Sequence, residues 1–224
     1  MHIDQIIRSK RKTISIEIRP DGHLLVRAPQ YTSDAQIFAA LEHRADWIHK
    51  TRRKLQKTYR TQSPKHFREG EEFWYLGRQY PLSLSDKTSP ALSFHENKGF
   101  CLSRHRLSDA KALFIAWYRK HTRQLVSKLT KRYSAQYGFQ VNKLRITSAK
   151  TRWGSCSAKN NLNFTYRLCM APLSTVEYIV VHELVHTKVK NHSRVFWDAV
   201  NDIYPAYKSE RAWLKKNGYQ LNLD

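Results

Sequence analysis

The sequence predicts an α+β fold: a small antiparallel sheet beside a buried helix, preceded by an N-terminal region rich in strands and basic residues. Three patterns support this. Apolar and polar residues alternate over residues 14–18, as in a half-buried strand, and apolar residues recur at helical spacing over 114–133. Residues 178–181 are apolar throughout and run directly into a group of histidines. A helix of that composition is buried, so its polar side chains need partners.

The first half of the chain divides into short elements at its turn-forming and capping residues. In order we predict strands at 14–18 and 24–26 around a turn at Pro20-Asp21-Gly22, a helix from Ser33 or Asp34 to about residue 54, a linker over 61–72, short strands at 73–77 and 80–82, and a helix from Ser108 to about Gly138.

The second half is predicted to hold two strands and the buried helix. Residues 144–148 and 162–166 alternate as strands, with a turn at 152–156 between them, and a helix begins at Ser174 or Thr175. We expect residues 161–170 to offer a strand edge that pairs with an extended peptide. The predicted regions are 1–105, strand-rich and basic, and 106–224, catalytic, unless the two form one compact unit.

The buried helix carries the pattern His182-Glu183-x-x-His186, and His192 follows six residues later. Histidines four positions apart on a helix lie on one face, about 5–6 Å apart at Cβ, so both can bind one zinc ion. Glu183 points towards the open coordination position, where it can act as general base and later as proton donor. We therefore predict one zinc ion per chain, held by the three histidines.

A metzincin-type site and a glutamate as third ligand are the alternatives to this assignment. The histidine spacing equals that of the metzincin peptidases, but Val189 stands where their glycine would be, and both methionines precede the site, so no Met-turn follows. Glu210 could serve as a third ligand from a later helix. His192 is preferred because it is nearer in sequence and is a softer ligand for zinc.

The surrounding motifs resemble the YgjP-like metal-dependent hydrolases, zincins related to the SprT and WLM metallopeptidases. They are residues 11–16, 26–29, 47–48, 151–156, 161–164, 170–172 and 182–197. The resemblance covers nearly the whole chain. It implies a zincin-like fold and a zinc-dependent hydrolase, usually assigned as a peptidase.

Several residues around the centre are candidates for supporting roles. Arg152, Tyr204 and Tyr207 can each donate a hydrogen bond to a developing negative charge, and are candidates for oxyanion or substrate contacts. Asp198 could orient a ligand histidine, as carboxylates near zinc sites do, or could be a surface carboxylate.

The net charge of +22, from 40 basic and 18 acidic residues, predicts attraction to polyanions such as nucleic acid or nucleotides. The alternative is a strongly charged surface that serves solubility. The two candidate clusters are Arg52, Arg53, Lys54 and Lys57 on the first helix, and Arg119, Arg123, Lys128 and Arg132 on the second.

The three cysteines are odd in number and widely spaced, which predicts reduced thiols in a cytoplasmic protein. No segment has the length and composition of a signal peptide or a membrane span, so no membrane partner is expected.

Three functions fit these patterns: a zinc metallopeptidase, a zinc-dependent hydrolase of phosphoanhydrides such as nucleoside triphosphates, and a nucleic-acid-binding module with a structural zinc. Glu183 argues against the third, because a closed structural site has no use for a base. Residue patterns alone do not separate the first two.

Overall fold

The computed structural model describes residues 2–19, 22–60 and 64–223. The chain divides into two compact units, Met1–Pro64 and Lys65–Asp224. The predicted boundary at 105/106 falls inside the second unit. The strand that ends at Ser103 runs through a short 3-10 helix directly into a long helix, and Phe100 of that strand packs on Phe114 of the helix, with ring centroids 5.0 Å apart.

The first unit is a three-stranded sheet with two helices. Its elements are β1 (Gln5–Ser9), β2 (Ser15–Ile18), β3 (Leu24–Pro29), α1 (Asp34–Glu42) and α2 (Ala45–Arg60). The strand order is β1-β3-β2, with β1 parallel and β2 antiparallel to β3. Apolar residues of β3 pack against those of the helices, and the fully buried members are Leu24, Val26, Ala28, Ile37, Leu41 and Ile48.

The first unit confirms the two predicted strands and corrects the predicted helix. Ser33 caps α1 through a capping box with Gln36. The helical conformation is interrupted at His43–Arg44, so the single helix expected to reach residue 54 is two helices. Strand β1 was not predicted, because its pairing with the distant β3 leaves little trace of alternation in its own burial. The predicted turn at Pro20–Asp21 lies outside the described residues.

The second unit holds two more sheets and four helices. Its elements are β4 (Glu72–Tyr75), β5 (Arg78–Ser85), β6 (Leu92–His95), β7 (Gly99–Ser103), α3 (Ala110–Tyr137), β8 (Lys143–Thr147), β9 (Gly154–Cys156), β10 (Asn161–Thr165), α4 (Leu173–Val185), α5 (Arg194–Ile203) and α6 (Tyr207–Asn217).

The architecture is α+β, as predicted, but the sheets are mixed. The orders are β4-β5-β7-β6 and β8-β10-β9. Strand β10 runs parallel to β8 and antiparallel to β9, and β5 runs parallel to β7. The expectation of an antiparallel sheet beside the active-site helix is therefore wrong. The connection between β8 and β10 contains β9. Because β9 runs antiparallel to β10, the chain reverses between them, and β10 then pairs with β8 in the same direction.

A tight hairpin fixes the start of α4. Leu76 and Gly77 connect β4 and β5 with positive φ angles of 47° and 82°. The Leu76 N–H donates to the Cys169 carbonyl (2.9 Å) and the Gly77 N–H to the Met170 carbonyl (3.0 Å). A Cβ atom at Gly77 would lie 2.7 Å from Cγ of Pro172, the residue before α4. Only glycine permits both this φ and this approach.

Among the described residues, no helix combines the length and the apolar character needed to cross a bilayer.

Candidate metal centre

Helix α4 places the first two histidines on one face. The helix ends at Val185, and His186 caps it with helical angles (φ −62°, ψ −15°), so the i, i+4 relation is preserved. The ring centroids of His182 and His186 are 4.9 Å apart. The chain then reverses before α5, and this turn brings His192 back to the same point. Its ring centroid lies 4.6 Å from that of His186.

The three histidines converge through their Nε2 atoms. The Nε2 atom of His192 is 3.1 Å from Nε2 of His186 and 3.1 Å from Nε2 of His182. Three nitrogens around a tetrahedral zinc ion, at about 2.0–2.1 Å each, are about 3.3 Å apart. Among the residues that the structure describes, this is the one cluster of three or more His, Cys, Asp or Glu side chains suited to a metal ion.

Different contacts hold the two helical ligands. Nδ1 of His186 lies 2.9 Å from the Val189 carbonyl oxygen, which fixes Nδ1 as the protonated nitrogen and leaves Nε2 free for a metal. The His182 ring is packed by aromatic residues, with Phe196 at 4.9 Å and Trp197 at 5.8 Å between centroids. Its Nδ1 atom is buried and meets no hydrogen-bond partner among the described residues.

The surroundings favour the neutral form of His182 and His186. Burial and, after it, the neighbouring imidazoles lower the pKa of His182 to about 3. Burial also lowers the pKa of His186, against the opposing effect of its bond to the Val189 carbonyl. Zinc binds neutral imidazole. The donor type and the convergence of the three rings, with the neutral form favoured at His182 and His186, therefore fit a zinc ion.

Glu183 is buried beside this cluster, with 5% of its surface exposed. A Cβ atom at Gly154 would lie 2.5 Å from Oε1, 2.6 Å from Cγ and 2.8 Å from Cδ of Glu183, so the carboxylate occupies space that any other residue at 154 would take. Burial raises the pKa of Glu183 to about 8, and the Arg152 guanidinium opposes that rise.

The strand beside the centre is β9, not β10. Strand β10 pairs with β8 on one side and β9 on the other, so the predicted edge at residues 161–170 is already occupied. The residues expected to form only a turn, 152–156, include β9, which ends the sheet. The free edge nearest Glu183 is therefore Gly154–Cys156.

Three polar residues considered near the metal point elsewhere. The Tyr204 hydroxyl donates to the Ser174 carbonyl (3.0 Å), in the first turn of α4. The Asp198 carboxylate is exposed and lies 3.6 Å from Arg194, so it orients no ligand histidine. Glu210 accepts a hydrogen bond from the Thr175 hydroxyl (2.6 Å) and is not part of the histidine cluster.

Tyr207 reaches the centre only through another ring. It is buried and stacks on Trp197 with centroids 5.4 Å apart, and Trp197 in turn stacks on His192 at 5.7 Å. Tyr207 therefore supports the position of a ligand. Sequence patterns did not predict a role for Trp197 at this centre. Its position on the next helix, five residues after His192, could have indicated that the two rings meet.

Lys190, also not anticipated, joins the metal loop to the sheet. Its Nζ donates to Oδ1 of Asn160 (2.6 Å) and to the Ser157 carbonyl (3.2 Å), and lies 3.8 Å from Sγ of Cys156. Lys190 stands between Val189 and His192 in sequence. The loop that carries the third ligand is thus tied to the hairpin between β9 and β10.

The predicted basic cluster of the first helix is partly engaged. Arg52 donates to the Gly22 carbonyl (3.1 Å) and pairs with Asp4 (3.3 Å), so it stabilises the first unit. Arg53 is exposed. The side chains of Lys54 and Lys57 lie outside the described residues.

The predicted cluster on α3 does not form one face. Arg119 donates to the Ile146 carbonyl and the Ser148 hydroxyl, and Arg132 pairs with Glu177 at 3.1 Å. Arg123 and Lys128 are exposed. Arg119 and Lys128 are nine positions apart, roughly 180° around the helix, so the four cations point in different directions.

Comparison with known proteins places this centre in a family. No curated protein matches the chain. A family model described as the YgjP-like metallopeptidase domain matches residues 12–217, which include every histidine of the cluster, Glu183 and the β9 strand. The chain therefore belongs to the YgjP-like metallopeptidase family.

Proposed function

We propose that this protein is a zinc metallopeptidase with a zincin-like active site, in which His182, His186 and His192 hold one zinc ion per chain and Glu183 is the general base. The observation that carries the proposal is a buried glutamate that follows His182 on α4, together with three imidazoles that converge on one point. His192 is exposed, so the cluster opens to solvent on that side. An open site with a base beside it is typical of catalytic zinc, whereas structural zinc is closed by four protein ligands.

The chain's own residues divide the work of peptide hydrolysis. A zinc ion held there supplies Lewis acidity, which activates a water molecule and polarises the carbonyl of the bond to be cleaved. Glu183 takes the proton of the attacking water and later delivers it to the leaving amine. The Val189 carbonyl keeps His186 in the tautomer that presents Nε2. Gly154 leaves the Glu183 carboxylate the space it occupies.

The free edge of β9 supports a peptide as substrate. An extended peptide can add to a sheet edge through main-chain hydrogen bonds, and this edge lies next to the base. Such binding would present a backbone carbonyl beside the metal ligands. This mode of binding favours a polypeptide over a nucleotide, because a nucleotide has no peptide backbone that could pair with the edge strand.

The test compares substrates directly. Wild type and Glu183→Gln are assayed, both zinc-loaded, on casein-like proteins and on a panel of nucleoside triphosphates. We expect protein cleavage by wild type and a loss of about 10²-fold or more in Glu183→Gln at unchanged zinc content, because proton transfer contributes that much. Hydrolysis of nucleotides without protein cleavage would replace the peptidase with the phosphoanhydride hydrolase. Full activity of Glu183→Gln would refute the mechanism on any substrate.

We also propose that polyanions bind through the exposed cations, with Arg53, Arg123 and Lys128 as the described candidates. The support is the net charge of +22. Each phosphate contact on duplex DNA contributes about −0.9 to the slope of log affinity against log salt. Reversing the charge of Arg123 and Lys128 should lower both affinity and slope at unchanged zinc content. Unchanged binding would leave the charge a matter of solubility.

The three cysteines are free thiols in the structure, which supports the proposed cytoplasmic location, since such compartments keep thiols reduced.

A further inference from the structure

A cavity lies on the β8-β10-β9 sheet, on the face opposite to the one that meets Glu183. Its volume is about 270 Å³. The lining residues are Thr147, Ala149, Arg152, Trp153, Gly154, Ser155, Asn163 and Thr165. Ser155 is opposite Asn163 and Thr147 is opposite Thr165 in the strand registers, so these side chains share one face. Leu162 and Phe164 alternate with them and are buried in the core on the other face.

The cavity is polar and carries one sign of charge. Arg152 is the charged residue in its lining, and no carboxylate lines it. Arg152 is exposed and, among the residues that the structure describes, forms no ion pair or hydrogen bond, although its charge acts on Glu183 from a distance. The Asn163 amide already donates to the Ser155 hydroxyl oxygen (3.2 Å), which leaves the Ser155 hydroxyl hydrogen available to a ligand.

A second cation, Arg167, packs on Trp153, which lines the cavity. The Arg167 guanidinium lies over the Trp153 ring at 5.0 Å and donates to the Lys150 carbonyl (2.7 Å). A pocket with a guanidinium, a hydroxyl donor and no acidic group is complementary to a carboxylate.

The geometry of β9 relates this cavity to the reaction. Successive side chains of a strand point to opposite faces of a sheet. A peptide added to the free edge of β9 would turn one side chain towards the face that holds Glu183 and the next towards the face that holds Ser155 and the cavity. The cavity therefore receives a substrate side chain close to the bond that is cleaved, at a fixed distance along the peptide.

We propose that this cavity is a specificity pocket for an acidic side chain, and that Arg152 selects peptides with Asp or Glu at one position near the scissile bond. The proposal rests on the proposed peptidase activity and names its substrate class. Arg152 then acts on substrate choice through a charge-assisted hydrogen bond. Such a bond, lost when a neutral side chain replaces the acid, corresponds to a discrimination of about tenfold or more.

The experiment is cleavage of a peptide library by the zinc-loaded protein, with every product sequenced. Wild type should prefer Asp or Glu over Ala at one position by about tenfold or more. Arg152→Gln should abolish that preference by raising KM for the acidic peptides relative to the neutral ones, and Arg152→Glu should shift the preference to Lys or Arg. A change in kcat through the pKa of Glu183 would affect acidic and neutral peptides alike and would leave the preference in place. The matched control is Arg194→Gln, which removes the same charge from a side chain on α5 that is 94% exposed and outside the cavity. It should keep the acidic preference.

The outcomes separate the two proposals. Peptide cleavage without an acidic preference, or a preference that survives Arg152→Glu, overturns the specificity pocket and leaves the peptidase standing. Absence of cleavage of every library peptide by wild type with full zinc overturns the peptidase and the pocket together. Zinc content and melting temperature, measured on all variants, should stay at wild-type values if Arg152 acts on substrate alone.

Discussion

Replacing Gly154 by alanine tests whether the position of Glu183 decides the rate. The new Cβ atom would lie 2.5 Å from Oε1 and 2.6 Å from Cγ of Glu183. Carbon atoms in ordinary contact are about 3.5–4.0 Å apart, so the carboxylate or the strand must move by about 1 Å. The movement is resisted on both sides, because Glu183 belongs to a buried helix and Gly154 to a hydrogen-bonded strand.

The expected loss follows from that displacement. A misplacement of about 1 Å in a catalytic group costs on the order of 10²-fold in rate, which corresponds to about 2.7 kcal/mol of activation free energy. Overpacking should also lower the free energy of unfolding by about 1–3 kcal/mol. Zinc content should not change, because the atoms that the new Cβ would meet first belong to Glu183 and not to a histidine. The assay is kcat on the best protein substrate, with zinc analysis and thermal unfolding of the same samples.

Two controls isolate the cause. Gly138→Ala strains a left-handed residue (φ 67°) that caps α3, but its Cβ would meet nothing within 4 Å, so it should lower stability and spare kcat. In a Glu183→Gln background, Gly154→Ala should have little further effect on rate, because both changes act through one group. Wild-type kcat in folded, zinc-loaded Gly154→Ala would refute the reasoning.

Three other predictions concern the metal, its loop and the thiols. His192→Ala should lose most of its zinc under mild chelation while Glu210→Ala retains it, as metal analysis would show; equal retention would remove His192 from the ligands. Lys190→Met should weaken zinc affinity about tenfold in a chelator competition, with partial recovery in Lys190→Arg, because the loop of the third ligand loses its tie to the β9–β10 hairpin. Native protein should leave Cys169 unlabelled by a thiol reagent at pH 8 while Cys101 reacts, because complete burial raises the pKa of Cys169 to about 12; rapid labelling of both would contradict the packing.

The convergence of the three histidines was predictable because local geometry decides their positions. Two histidines four residues apart on one helix lie on the same face. His192 follows His186 by only six positions, so the third ring stays within a short distance of the other two. The cap of α1 at Ser33 and the end of α3 at Gly138 were also predictable, because capping depends on residues close together in sequence.

The supporting residues were less predictable because distant pairings decide them. Gly154 meets Glu183 across 29 positions of sequence, and no pattern near either residue reveals that contact. Tyr204 carries suitable chemistry at a suitable interval, yet its hydroxyl donates to the carbonyl of Ser174, 30 positions away. Asp198 is a different case, because its partner Arg194 lies one turn earlier on the same helix. The order of the strands also depends on distant pairings. Strand β9 is an edge strand because β10 pairs with β8 on its other side.

The docking of the Leu76–Gly77 turn on the residues before α4 has a consequence for how this protein can be divided. Two backbone hydrogen bonds and the contact with Pro172 attach the four-stranded sheet to the beginning of the helix that carries His182. A chain that began at residue 106 would keep every metal ligand but would leave those two carbonyls and the Pro172 surface bare. The four-stranded sheet and the histidine cluster therefore belong to one structural body, and a recombination event that transferred the cluster to another protein would have to carry this sheet with it.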